Sequence, residues 1–235
     1  MKVGIHQPHF FPWLGYLDKM AKVDLFILLD DVQIEKGSNM YRNKLCTWDG
    51  QEKYITVAYE KKGCLDIPFN MIVIDNSVKW QERQRNFIEN NYKKSPYYAE
   101  IYRYIEPVFE KNFSNLCEAV VESLMIEKRL FDIKTRIVNQ SELSYDRSLY
   151  KNELLIDLIH SVGGDFYLSG NGARKYMDVK VFEKEGISVE YQKFIYPIYE
   201  QFHSFVPNLS ALDILFNCGV DGAREVFWNN VALNE

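Results

Sequence analysis

Apolar residues along this chain fall into two rhythms: short continuous runs, and longer stretches in which they return every three or four positions. Lys2–Ile5 is a short run of the first kind. Pro8 and Pro12 behind it block a smooth continuation as strand or helix. Leu14, Leu17, Met20 and Ala21 then recur at helical spacing, ahead of the continuous run Leu25–Leu29. The order strand, helix, strand predicts two parallel strands, because such a crossover is nearly always right-handed. Both strands then finish on the same sheet edge, where open α/β sheets bind their ligands.

Asn43–Trp48, the pair Asp49-Gly50 and Lys53–Tyr59 predict a β-hairpin at the sheet periphery, since Asp-Gly suits a tight two-residue turn. Met71–Ile74 reads as another short strand. Ser77 is the expected cap of a helix over Val78–Tyr92, Ser95-Pro96 opens a second through Phe109, and Ser114 caps a third to about Phe131. The stretch from 78 to 132 is thus a helical portion. Alternation then resumes with a strand at Thr135–Val138, a helix at Tyr150–His160 ended by Gly163-Gly164, and a strand at Phe166–Leu168. A helix at Met177–Lys184, an extended Ser188–Gln192 and a helix at Leu209–Asn217, with Gly219 near its end, complete the chain. The pattern predicts one α/β domain over residues 1–235: a mainly parallel, Rossmann-like three-layer sheet with a peripheral hairpin and additional helices.

Composition narrows the partners more than the fold. A formal net charge of -5 argues against a nucleic-acid partner, which a basic surplus would announce. No run approaches the ~18 apolar residues of a bilayer span, and no basic region followed by a long apolar stretch opens the chain, so a cytoplasmic protein is expected. Cys46, Cys64, Cys117 and Cys218 lack Cys-x-x-Cys spacing and read as buried free thiols.

The chemistry-bearing residues cluster at the expected strand ends. His6-Gln7-Pro8-His9 puts two imidazoles into one tight loop, and either ring could act as general acid or base or bind a metal. Asp30 and Asp31 follow the second strand and should face opposite sides of the sheet, so that one of them enters the site to orient His6, hold a cation or accept a proton. A polar strand exit that caps backbone amides is the structural alternative. Arg42, next to Asn43, offers a planar fork for phosphate or carboxylate. In Ser169-Gly170-Asn171-Gly172-Ala173-Arg174 two glycines let backbone amides approach an anion, although neither a dinucleotide fingerprint nor a P-loop is complete. Tyr196 to Gln201, His203 and Asn208 supply further pocket candidates, with Asn208 or Ser210 the expected helix cap and Asp213 its acidic partner.

His6-Gln7-Pro8, Pro12-Trp13-Leu14-Gly15, Asp30-Asp31-Val32-Gln33 and Arg42-Asn43 make this chain resemble the WbqC-like family. Ser169-Gly170 with Tyr176, Tyr199 with Gln201, and Asn208-Leu209-Ser210 with Asp213 carry the likeness towards the carboxyl terminus. The family is associated with bacterial O-antigen and related surface-glycan pathways, so the resemblance implies work on a sugar precursor. The leading expectation is a transferase that passes an acyl or aminoacyl group to the amine of a nucleotide-linked amino sugar. The donor is left open by the sequence, with a coenzyme A thioester, a carrier protein or ATP as the candidates. On that reading His6 or His9 is the base, Arg42 and the glycine loop hold phosphate, and loop amides stabilise the oxyanion. Gln7, Trp13, Asn43, Arg174, Tyr176, Tyr199, Gln201 and Asn208 complete the expected binding set. A fainter likeness to α/β nucleotide-binding enzymes with a His motif after the first strand keeps an ATP-dependent ligase or nucleotidyl transferase as the runner-up. The chain departs from their His-x-Gly-His spacing. A sugar-binding accessory protein without catalysis is the third reading.

Overall fold

The structure is a computed structural model and describes residues 1–202 and 204–234. Its strands are β1 (Lys2–His6), β2 (Leu25–Leu28), β3 (Arg42–Cys46), β4 (Glu52–Thr56), β5 (Arg136–Asn139), β6 (Phe166–Ser169) and β7 (Ser188–Tyr191). Its helices are α1 (Leu14–Ala21), α2 (Trp80–Tyr92), α3 (Tyr98–Glu110), α4 (Leu116–Leu130), α5 (Lys151–Ser161), α6 (Val179–Lys184) and α7 (Leu212–Leu233). Five strands form one parallel sheet in the order β5-β2-β1-β6-β7, while β3 and β4 pair as a separate antiparallel hairpin.

Side-chain alternation along the strands splits the core into two layers. Phe26 and Leu28 of β2 pack with Leu14 and Leu17 of α1, Leu124 of α4 and Leu215 of α7. Val3, Ile5, Leu25 and Ile27 face the other way, onto Leu158 and Ile159 of α5 and Phe182 of α6. Phe26 and Leu28 are wholly buried, and each such side chain contributes roughly 1.5–3 kcal/mol. Gly4 makes the first layer close-fitting, because a Cβ there would stand 2.9 Å from the Phe26 ring.

The chain leaves central β1 towards β2 and β5, then returns to the opposite side for β6 and β7. Connection direction therefore reverses between β1 and β6, which opens a crevice at their carboxyl ends. The register His6↔Leu28 brings the ends of β1 and β2 level on that edge.

Several local expectations give way to more specific contacts. The hairpin turn spans three residues instead of two: Thr47 N donates to Gln51 O at 2.8 Å and Gly50 N to Thr47 O at 2.9 Å, with Gly50 at φ 86°. That is a type I turn closed by a glycine bulge. Met71–Ile74 forms no ladder; a 3₁₀ turn at Phe69–Met71 leads into single bridges from Val73 to Asn115 and from Ile74 to Tyr59. Ser77 turns back onto Asp75 and leaves α2 uncapped by a side chain. Asn115 caps α4 by accepting from Glu118 N at 2.9 Å, while the Ser114 hydroxyl bonds the Glu118 carboxylate. At the last helix Ala211 holds the cap position, and Asp213 is drawn into a buried polar knot instead.

Candidate functional site

The segment after β1 is held in place from several directions. Phe10 N donates to Asn39 O at 3.1 Å, Phe11 N to the Ser123 hydroxyl at 3.0 Å, and Phe11 O accepts from Asn43 Nδ2 at 2.7 Å. Phe10 and Phe11 are fully buried. Asn43 is thereby a clamp on the loop. Its Oδ1 also accepts from Lys44 N.

Within this frame the rings of His6, His9 and Tyr16 form a cluster, with centroids 4.7 Å apart for His6 and His9, 5.1 Å for His6 and Tyr16, and 4.7 Å for His9 and Tyr16. His6 Nδ1 lies 3.1 Å from Gln7 O, which can only accept, so Nδ1 carries the proton and Nε2 keeps its lone pair. The Tyr16 hydroxyl donates to the same carbonyl at 3.0 Å.

Lys19 of α1 reaches the same place from below. Its Nζ donates to Ile5 O at 2.7 Å and lies 5.8 Å from the centre of the Tyr167 ring; the residue is 3% exposed. Among the described residues no carboxylate pairs with it. Burial pulls its pKa from 10.5 to about 7. Burial, followed by the Lys19 charge, lowers His6 from 6.5 to about 3, and burial with the neighbouring His6 and Lys19 holds His9 well below its ordinary value. Both imidazoles are therefore neutral near pH 7. Burial drives the Tyr167 phenol up to about 12, so it stays a hydrogen-bonding group without charge.

His6, Lys19 and Tyr167 border a cavity of about 250 Å³ in the switch-point crevice, with His9 and Tyr16 packed behind them. His6, Gln7, Lys19 and Tyr167 form one part of its lining, Ser169, Gly170, Gly172 and Tyr176 another, and Glu35 brings a carboxylate. Neither Gly170 nor Gly172 has an atom within 4 Å of where a Cβ would stand, so backbone is open to an approaching ligand there. Tyr176, 74% exposed, presents its ring to both the cavity and solvent.

Other expected site residues lie elsewhere. Asp30 accepts from Ser141 N at 2.9 Å and the Ser141 hydroxyl at 2.5 Å, and it lines a second cavity of about 370 Å³ with Asn70, Cys117 and Asn139. Asp31 accepts from the Tyr145 hydroxyl at 2.5 Å and pairs with Arg147. Neither carboxylate lines the His6 cavity. The expected meeting of His6 with an aspartate is replaced by one of His6 with Lys19, because β2 stops at Leu28 and both carboxylates turn towards the segment after β5. Arg42 lines a third cavity, apart from the glycine loop. Arg174 stacks on Tyr191 with its guanidinium carbon 4.1 Å from the ring centre and donates to Asn171. Trp13, Asn43 and Asn208 border a fourth cavity, with the Trp13 indole folded over Gly15. Tyr199 and Gln201 both donate to Asp213 Oδ2 at 2.8 Å, and Tyr92 donates to its other oxygen at 2.7 Å. His203 lies outside the described residues. Among the described residues no group of three or more His, Cys, Asp or Glu side chains is placed to hold a metal ion, and no helix is long and apolar enough to cross a membrane.

The arrangement at β1 is built on the His-Gln-Pro loop, and the family model for the WbqC-like proteins matches residues 7–225 of this chain. The chain belongs to the WbqC-like family. One relative, the uncharacterized protein Rv1507c of Mycobacterium tuberculosis, is 32% identical over 232 residues, covering 94% of this chain and 95% of its own. No solved structure matches the chain significantly. In this WbqC-like protein Lys19, Tyr167 and Glu35 are the cleft residues that sequence reasoning missed, as is Tyr16, which packs behind His6. Adjacent Asp18 and Lys19 in an eight-residue helix with so apolar a stripe were the available signal, since a helix that short buries both.

Proposed function

We propose that this protein is an enzyme of surface-glycan biosynthesis that transfers an acyl or aminoacyl group to the amine of a nucleotide-linked amino sugar in the His6 cleft. The observation that carries this reading is the state of His6: a cleft-lining imidazole, uncharged at neutral pH, whose Nδ1 is engaged by Gln7 O and whose Nε2 is left to accept a proton. The sugar amine attacks the donor carbonyl, a C–N bond forms, and the bond from that carbonyl to the donor's sulfur or oxygen breaks. The amine proton passes to His6 Nε2 and on to the departing group. Burial and the Lys19 charge make His6 a weak base in the empty cleft. An anionic substrate beside Lys19 raises its proton affinity by offsetting that charge. Glu35 pairs with the sugar ammonium, which releases one proton to solvent to become the attacking amine, and amides of the Ser169–Gly170 loop receive phosphate or the developing oxyanion. The reading goes with a cytoplasmic protein.

Incubation with UDP-linked amino sugars and acyl-coenzyme A donors, followed by mass spectrometry, should reveal an N-acylated sugar nucleotide. Product formed only with ATP would replace this reading by the ligase, and tight binding without product under any donor would replace it by the accessory role.

A further inference from the structure

Outside the His6 cleft, a cavity of about 590 Å³ lies between the hairpin and the segment leading to α2. Among the described residues its cations are Arg42 and Lys61, its tyrosines Tyr41 and Tyr59, and its carboxylate Asp75. Asp75 is turned towards its own loop, its Oδ1 accepting from Ser77 N at 3.0 Å and from the Ser77 hydroxyl at 2.5 Å.

Arg42 is held but not neutralised. Its Nη2 donates to Gly37 O at 2.9 Å, its guanidinium carbon lies 4.1 Å from the centre of the Tyr54 ring, and its Nε is buried without a partner. The Tyr41 hydroxyl accepts from Gly37 N at 3.1 Å, so the loop that positions the guanidinium is itself tied down. Among the described residues neither Arg42 nor Lys61 has a carboxylate within ion-pair distance. A half-buried guanidinium without a counter-charge is compensated when an oxyanion arrives, and its planar fork matches phosphate. Tyr41 and Tyr59, with ring centroids 5.0 Å apart, and Val78 add flat and apolar wall that phosphate alone would not use.

We propose that this cavity is a second binding site, for a nucleoside phosphate whose phosphate meets Arg42 and Lys61 and whose base lies against the tyrosine wall. It shares no lining residue with the His6 cleft, so it stands whether or not the transfer reaction does. Titration calorimetry of the full chain with ADP and with pyrophosphate tests it. ADP should bind saturably and more tightly than pyrophosphate, and Lys61→Glu, on an exposed side chain, should weaken ADP by about tenfold or more. Arg42→Met should do the same, and its melting temperature shows whether the Gly37 loop survives. The proposal is overturned if ADP does not bind, if ADP binds no tighter than pyrophosphate, or if Lys61→Glu leaves the affinity unchanged.

Discussion

At Lys19 an ammonium group sits among the Tyr167 ring, the His6 and His9 imidazoles and the β1 backbone, with only Ile5 O, among the described residues, to receive its protons. Its folded pKa, about 7, lies below the ordinary 10.5. Between those values the unfolded chain binds more protons than the folded one, so this group makes stability rise with pH across that window, by at most ~1.4 kcal/mol per unit. Below about pH 7 its contribution is a constant penalty. Lys19→Met keeps the stem and removes the charge. The variant should be the more stable protein at pH 7, with its advantage over wild type shrinking as pH climbs towards 10.5 in urea melts. A gap that does not change with pH would show that Lys19 keeps its ordinary pKa.

Helix α7 shows how an element can be half legible. Gly219 reads as a helix end, and its φ of 72° with ψ of 179° does interrupt the helical backbone. Helix nevertheless resumes at once, because the break lets the Tyr97 ring sit where a side chain would be: a Cβ at Gly219 would stand 2.7 Å from it. That packing partner lies in another part of the chain and leaves no mark in the local pattern. Gly219→Ala should therefore lose about 1–3 kcal/mol, combining a backbone region open essentially to glycine with a ring that must move. An unchanged urea midpoint would mean that the kink is not required. The caps follow the same logic: Ser77 and Ser114 are good cap residues, but Asp75 and Glu118 compete for their hydroxyls.

Across the whole molecule, the parallel sheet and the crevice at its carboxyl edge were legible, since apolar runs and crossover handedness decide them before any side chain is placed. The direction of the side chains on that edge was not. Asp30 turns to Ser141, 111 positions along the chain, and Asp31 to Tyr145 and Arg147, so the strand-end carboxylates leave the cleft that sequence adjacency suggested. Lys19, hidden on a short helix, takes their place beside His6. The account of the cleft as a transfer site thus rests on one imidazole with a free Nε2. His9, 8% exposed and outside the cavity lining, serves as packing behind it. Turnover of N-acylated sugar nucleotide by His6→Asn and His9→Asn, each with a circular-dichroism melt, tests this most directly. The account predicts a loss of roughly two to four decades for His6→Asn with native-like melting, and a much smaller loss for His9→Asn. Near-native turnover by a well-folded His6→Asn variant would contradict it.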